Sequence, residues 1–75
     1  MFDMHNVESS NIHSIGYDQT QETARVCFKD KKGGISSTYD YAHVPPSVFD
    51  RWLKAPSAGK FFQSNIKSVF PGTKV

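Results

Sequence analysis

Three histidines (His5, His13, His43), a single cysteine (Cys27) and several aspartates are the first side chains to test for metal or acid–base chemistry. A structural zinc site wants four ligands, usually in two close pairs, and the intervals between these residues fit no such pattern. Cys27 with His13 or His43 would make a nucleophile and its base, but no nucleophile-elbow or comparable signature surrounds Cys27. A cysteine at an alternating strand position usually serves as a small apolar filler. Asp18, Asp40 and Asp50 fall in a turn, at a strand edge and early in a helix, where aspartate has ordinary duties. Asp50 also stands four residues before Lys54, the spacing of a helix ion pair. Ser57-Ala58-Gly59-Lys60 resembles a phosphate loop only loosely, because the full G-x-x-x-x-G-K-[ST] run is absent. The expectation is a protein that is not an enzyme and takes no metal and no cofactor.

Aromatic residues carry more information. The chain has six Phe, three Tyr and one Trp, too many for all to be fully buried in so small a domain. Phe28, Phe49, Trp52, Phe62 and Phe70 fall on faces that would fill a core. Tyr17, Tyr39 and Tyr41 lie on adjoining strands with hydroxyls that need water or partners. Tyr39 and Tyr41, two residues apart, share a strand face, and His43 continues it. Strand tyrosines beside cations are one way single-stranded nucleic acid is held: bases stack on rings while Lys and Arg track phosphates. The plainer reading has the same tyrosines packed on helices with only their tips outward.

The elements that must position these residues follow from periodicity. Asn11 to Tyr17 reads as a short strand with His13, Ile15 and Tyr17 on one face, and Asp18-Gln19-Thr20-Gln21 as a turn. Thr23 to Lys29 alternates, with Ala24, Val26 and Phe28 opposite Arg25, Cys27 and Lys29, the pattern of a strand with one buried face. Asp30-Lys31-Lys32-Gly33-Gly34 is a hairpin signal, and a third strand runs from about Ile35 to Ala42. Pro45-Pro46 stops the sheet, since proline cannot donate to a ladder. Val48, Phe49, Trp52 and Leu53 then repeat at helix spacing, giving a helix over about Pro46–Ala55 that Pro56 ends. Ser57 is a good N-cap for a second helix over about Ala58–Lys67, whose stripe is Ala58, Phe61, Phe62, Ile66 and Val69. Met1 to Ser10 has no sustained periodicity and reads, to about Glu8, as a loose lead-in; Pro71-Gly72 leaves a short tail.

Seventy-five residues make one domain, 1–75, able to bury only about 60–65% of its unfolded surface. A lone cysteine without a secretory segment reads as a reduced, cytoplasmic protein. No apolar run approaches the roughly 18–20 residues that span a bilayer, so no membrane contact is expected. Charge is split along the chain. Residues 1–50 carry four basic against seven acidic side chains, a net of −3, whereas residues 51–75 carry Arg51, Lys54, Lys60, Lys67 and Lys74 with no acid, a net of +5. A basic end suits phosphate or an acidic protein surface, although solvated helix faces give the same asymmetry.

Several segments together resemble the KTSC domain, a small module named for the C-terminal extension of some lysyl-tRNA synthetases and also found as stand-alone bacterial and phage proteins. They are Ser9-Ser10-Asn11-Ile12 with Ile15-Gly16-Tyr17-Asp18, then Tyr39-Asp40-Tyr41, Val44-Pro45-Pro46, and Ala55-Pro56-Ser57-Ala58-Gly59-Lys60-Phe61-Phe62 before Asn65-Ile66. The resemblance spans roughly Val7 to Val75. Ala42-His43 departs from it, where the family pattern usually has a shorter or different link. Attachment to a synthetase has suggested RNA binding for the family. The implied surface here includes Tyr39, Tyr41 and Lys60, with Ser57 and Gly59 shaping the turn. Glycine at 59 either lets a backbone approach closely or relieves crowding between helices.

The resulting expectation is an α+β fold: a three-stranded antiparallel β-meander followed by two α-helices packed on one face (β-β-β-α-α). The leading function is a non-catalytic binding module for RNA or single-stranded DNA, using Tyr39, Tyr41, His43, Arg51, Lys54, Lys60 and Lys67. The alternative is a protein–protein module, or a phage-encoded inhibitor docking on a host protein, with Tyr39, Tyr41, Phe61 and His43 as anchors. Salt dependence would separate the two.

Overall fold

The computed structural model describes residues 2–75. Its sheet has five strands, not three: β1 (Asp3–Asn6), β2 (Ile12–Asp18), β3 (Thr23–Lys29), β4 (Ile35–Tyr41) and β5 (Gly72–Lys74). All neighbours are antiparallel and the spatial order is β1-β2-β3-β4-β5. The expected β-β-β-α-α meander is therefore corrected to a five-stranded sheet, while the α+β class stands. Both additional strands come from segments assigned to the lead-in and the tail. They escaped periodicity because every residue in them is exposed, so no alternation marks them.

Ladder pairing holds both edge strands, β1 on β2 and β5 on β4, and each pair approaches closely at a glycine. A Cβ at Gly16 would overlap the movable Met4 side chain of β1, and a Cβ at Gly72 would overlap the Tyr41 ring of β4. At Gly72 only glycine leaves room for the ring to cross its partner strand.

The turns work as their residues suggest. The Asp18 carboxylate accepts from the Thr20 and Gln21 backbone N–H groups. Asp30 accepts from Lys32 and Gly34, closing the β3–β4 hairpin. A bulge between Ile12 and Ser14 shifts the face of β2, so that Ile12, Ile15 and Tyr17 point to the core and His13 does not share it.

Helix α1 (Pro46–Lys54) begins after Pro45, whose carbonyl accepts from Val48 and Phe49. The second predicted helix is only one turn of α-helix, α2 (Ala58–Phe61), continued by a π-helical turn over Phe62–Ile66 in which Lys67 N–H donates to the Phe62 carbonyl at 2.8 Å. Val69, expected in its apolar stripe, is 61% exposed because the helix has ended. Trp52, Ile12, Ile15, Ile66, Val26 and Val44 are fully buried between sheet and helices. Trp52 joins the layers: it packs on Phe49, Phe61 and Phe62, and its indole N–H donates to the Ala58 carbonyl at 3.1 Å.

Candidate functional site

Tyr39 and Tyr41 face the helices, and β4 delivers them to the side where α2 and the π-turn lie. Tyr41 is core: its ring is 6% exposed and meets Phe62 edge-on at 5.5 Å. Burial, with Tyr39 as a lesser neighbouring cause, pushes its phenol up, so it stays neutral at ordinary pH. Tyr39 is half-buried, held edge-on by Phe28 at 5.8 Å.

Between these rings and the π-turn opens a cavity of about 360 Å³, walled by Phe28, Tyr39 and Phe62 and rimmed by Asn11, Gln63 and Lys67. Phe62 and Ile66 keep the buried side of the π-turn, which leaves Gln63 and Lys67 to the open side.

A second cavity of about 270 Å³ adjoins the first, sharing Asn11, Gly59 and Gln63 and adding Ser9, Ser57 and Lys60. Ser57 caps α2, its hydroxyl oxygen accepting from the Lys60 N–H at 3.3 Å. Ser9 accepts from the Asn11 and Ile12 N–H groups, each at 3.2 Å. Ser9 Oγ already accepts two backbone bonds and Ser57 Oγ one, and each hydroxyl still has its hydrogen to offer a ligand. The Lys29 ammonium donates to the Ser9 carbonyl at 2.7 Å, fixing this loop and adding positive charge beneath it. Among the described residues, no carboxylate lines either cavity.

The family model for the KTSC domain matches residues 8–70. The chain belongs to the KTSC domain family. A crystal structure of a KTSC domain protein from Yersinia pestis superposes with a TM-score of 0.86 at 33% identity, covering 100% of this chain and 99% of that one. A protein of Tsukamurella paurometabola is 42% identical over 67 residues, 89% of this chain and 92% of its own length. A lysine–tRNA ligase of Nostoc punctiforme is 36% identical over 63 residues, which is 84% of this chain but 10% of that enzyme.

In this KTSC domain, segments far apart in sequence converge: Ser9–Asn11, Tyr39–Tyr41 and Ser57–Lys60 all border the joined cavities. Of the seven residues expected to bind, Tyr39, Tyr41, Lys60 and Lys67 meet there, together with Ser57 and Gly59 of the implied turn. His43, Arg51 and Lys54 do not. His43 is exposed in a left-handed turn (φ 63°) after β4 has ended, so it does not continue the Tyr39–Tyr41 face. Arg51 is exposed on α1, and Lys54 is paired with Asp50 at 3.0 Å. Sequence reasoning missed the side-chain roles of Asn11, Gln63 and Lys29, polar residues that show no pattern until the fold assembles them.

The remaining chemistry-bearing residues are engaged elsewhere. Asp40 forms a two-pronged pair with Arg25, at 2.7 and 2.9 Å, on the sheet face away from the helices. Cys27 is buried, its sulfur accepting from Thr38 Oγ1 at 3.5 Å, while His13 hydrogen-bonds its neighbour Ser14. Among the described residues, no group of three His, Cys, Asp or Glu is placed to hold a metal, and no helix is long and apolar enough to cross a membrane.

Proposed function

We propose that this KTSC domain is a non-catalytic binding module for single-stranded nucleic acid, RNA in particular, and that the joined cavities are its binding groove. One observation carries the reading: an aromatic wall and two lysines border two adjoining cavities that, among the described residues, no carboxylate lines. Tyr39 offers a ring for stacking, a contribution of roughly 1–3 kcal/mol per base. Lys60 and Lys67 meet phosphate, and the Ser9 and Ser57 hydroxyls add donors to the same oxygens. Tyr41 contributes by supporting the wall. A relative in which the matching segment is a small part of a lysine–tRNA ligase adds support, since that enzyme's named substrate is an RNA.

The test is fluorescence anisotropy with labelled oligouridylate and oligoadenylate, as RNA and as DNA, over a range of salt. Binding should weaken with a log–log slope of about −0.7 per neutralised phosphate and disappear in the Lys60→Glu, Lys67→Glu double variant. Absence of binding at low salt, where electrostatic attraction is strongest, removes the reading.

A further inference from the structure

Gly59 sits in α2 under no steric obligation. Its backbone is not in the left-handed region, and a Cβ added there would meet only the Ser9 hydroxyl, at 3.4 Å, an ordinary contact with a small movable group. Gly16 and Gly72 are unlike it, because there a Cβ would collide. A helical glycine that could be alanine leaves stability unused, through the extra freedom of the unfolded chain and the poorer helix propensity. Crowding between helices, one of the two readings open from the sequence, does not explain it.

What Gly59 does keep is open space at the border of the two cavities, since it lines both. On one side lies an aromatic-walled pocket of about 360 Å³, at the small end of the roughly 300–1,000 Å³ range of ligand sites. On the other lies a shelf where Lys60, Ser9 and Ser57 each have a donor to offer an anion. A flat uncharged heterocycle suits the first, a phosphate the second, and a ligand carrying both must cross Gly59.

Resting on the nucleic-acid reading above, we infer that Gly59 is the saddle over which one nucleotide is bound: its unstacked base enters the Tyr39–Phe28 pocket and its phosphate lies on the Lys60–Ser9–Ser57 shelf. Asn11 and Gln63, at the border, present amide donors and acceptors to the base edge. Gly59 thus determines specificity for a splayed-out base over a bare phosphate chain, and an unpaired strand over a duplex, whose bases remain stacked.

The experiment compares the wild type with Gly59→Ala and Gly59→Leu, in thermal unfolding and in oligouridylate binding. Tm should hold or rise by up to roughly 6 °C in Gly59→Ala, while affinity falls stepwise, from wild type to Ala to Leu, by about tenfold or more overall. A second probe, an abasic ribose–phosphate oligomer, should bind the wild type roughly 5- to 150-fold more weakly than oligouridylate, as expected for a lost stacking contact. If Gly59→Ala lowers Tm, the glycine is structural and the inference falls. Equal binding by all three proteins, or by the abasic and base-carrying probes, also overturns it. In those cases the salt dependence and the Lys60→Glu, Lys67→Glu loss still decide the binding function separately.

Discussion

The helix layer has a cavity at each end, and the two are opposite in character. One is the groove of Lys60 and Lys67. The other, about 640 Å³, lies between β1, the β2–β3 turn and α1, with Asp3, His5, Asp18 and Asp50 around Phe49 and Leu53. Its charges are largely answered within the protein. Asp50 pairs with Lys54, and Asp18 accepts from the backbone of its own turn. At the groove, Lys60 and Lys67 have no ion-pair partner among the described residues. Size does not separate the two ends, and it is the groove that holds uncompensated charge. A charge already matched gains little from a ligand, whereas an unmatched one beside an aromatic wall has much to gain.

The contrast can be broken or sharpened by substitution. The largest effect is expected from Trp52→Ala, which removes the side chain linking both ends and should cost about 3–5 kcal/mol, a large share of the stability of so small a domain. Urea unfolding measures it, and a loss under about 1 kcal/mol would contradict the central position of Trp52. Next, Lys60→Glu with Lys67→Glu should abolish oligonucleotide binding. The milder Lys60→Gln, Lys67→Gln pair should reduce the magnitude of the salt slope by about 1.4, two phosphates' worth. Asp3→Asn with Asp50→Asn, at the other end, should leave affinity within about twofold at physiological salt, where the Debye length is about 8 Å. Equal effects at both ends would mean that overall charge, not the groove, governs binding.

Alkaline titration gives a smaller effect. The buried Tyr17 and Tyr41 phenols are both pushed above their ordinary value of 10.0, chiefly by desolvation. The folded state therefore holds these protons more tightly than the unfolded chain. Their contribution is complete below about pH 10 and is lost as pH rises through the folded values. Thermal melts should fall above pH 10, and Tyr41→Phe should make that fall shallower. Smallest of all, Lys54→Ala should cost about 0.3–0.5 kcal/mol, the scale of an exposed helix pair, and leave nucleotide binding unchanged.

Strand β3 was legible in the sequence because its buried Ala24 and Val26 alternate with the more open Thr23 and Arg25, and its limits match Thr23–Lys29 to the residue. Strands β2, buried on both faces, and β4, mostly half-buried, were bounded instead by the turns that flank them. The edge strands were not legible, since all their residues are exposed and the ladder partners that hold them lie in other segments, a relation that no local window contains. The second helix was drawn too long because apolar residues at Ala58, Phe61, Phe62 and Ile66 fit both an α-turn and the wider π-turn that replaces it. At the site, Tyr39, Lys60 and Lys67 stood out by residue type. Asn11 and Gln63 did not: a polar amide in a polar stretch becomes informative only when the fold sets it beside a cavity.

The sheet order carries a kinetic consequence. Strands β1 to β4 pair as successive hairpins with short loop closures, whereas β5 reaches β4 only after residues 42–71, the segment that carries both helices. The groove is built otherwise, from the Ser9 loop meeting Ser57 and Lys60 almost fifty residues later in the 75-residue chain. Its assembly must wait for the helices to close over the four hairpin-linked strands. A chain still emerging during synthesis can hold the hairpins before it holds a binding site, and a ligand that stabilises the groove acts on that last, least local step.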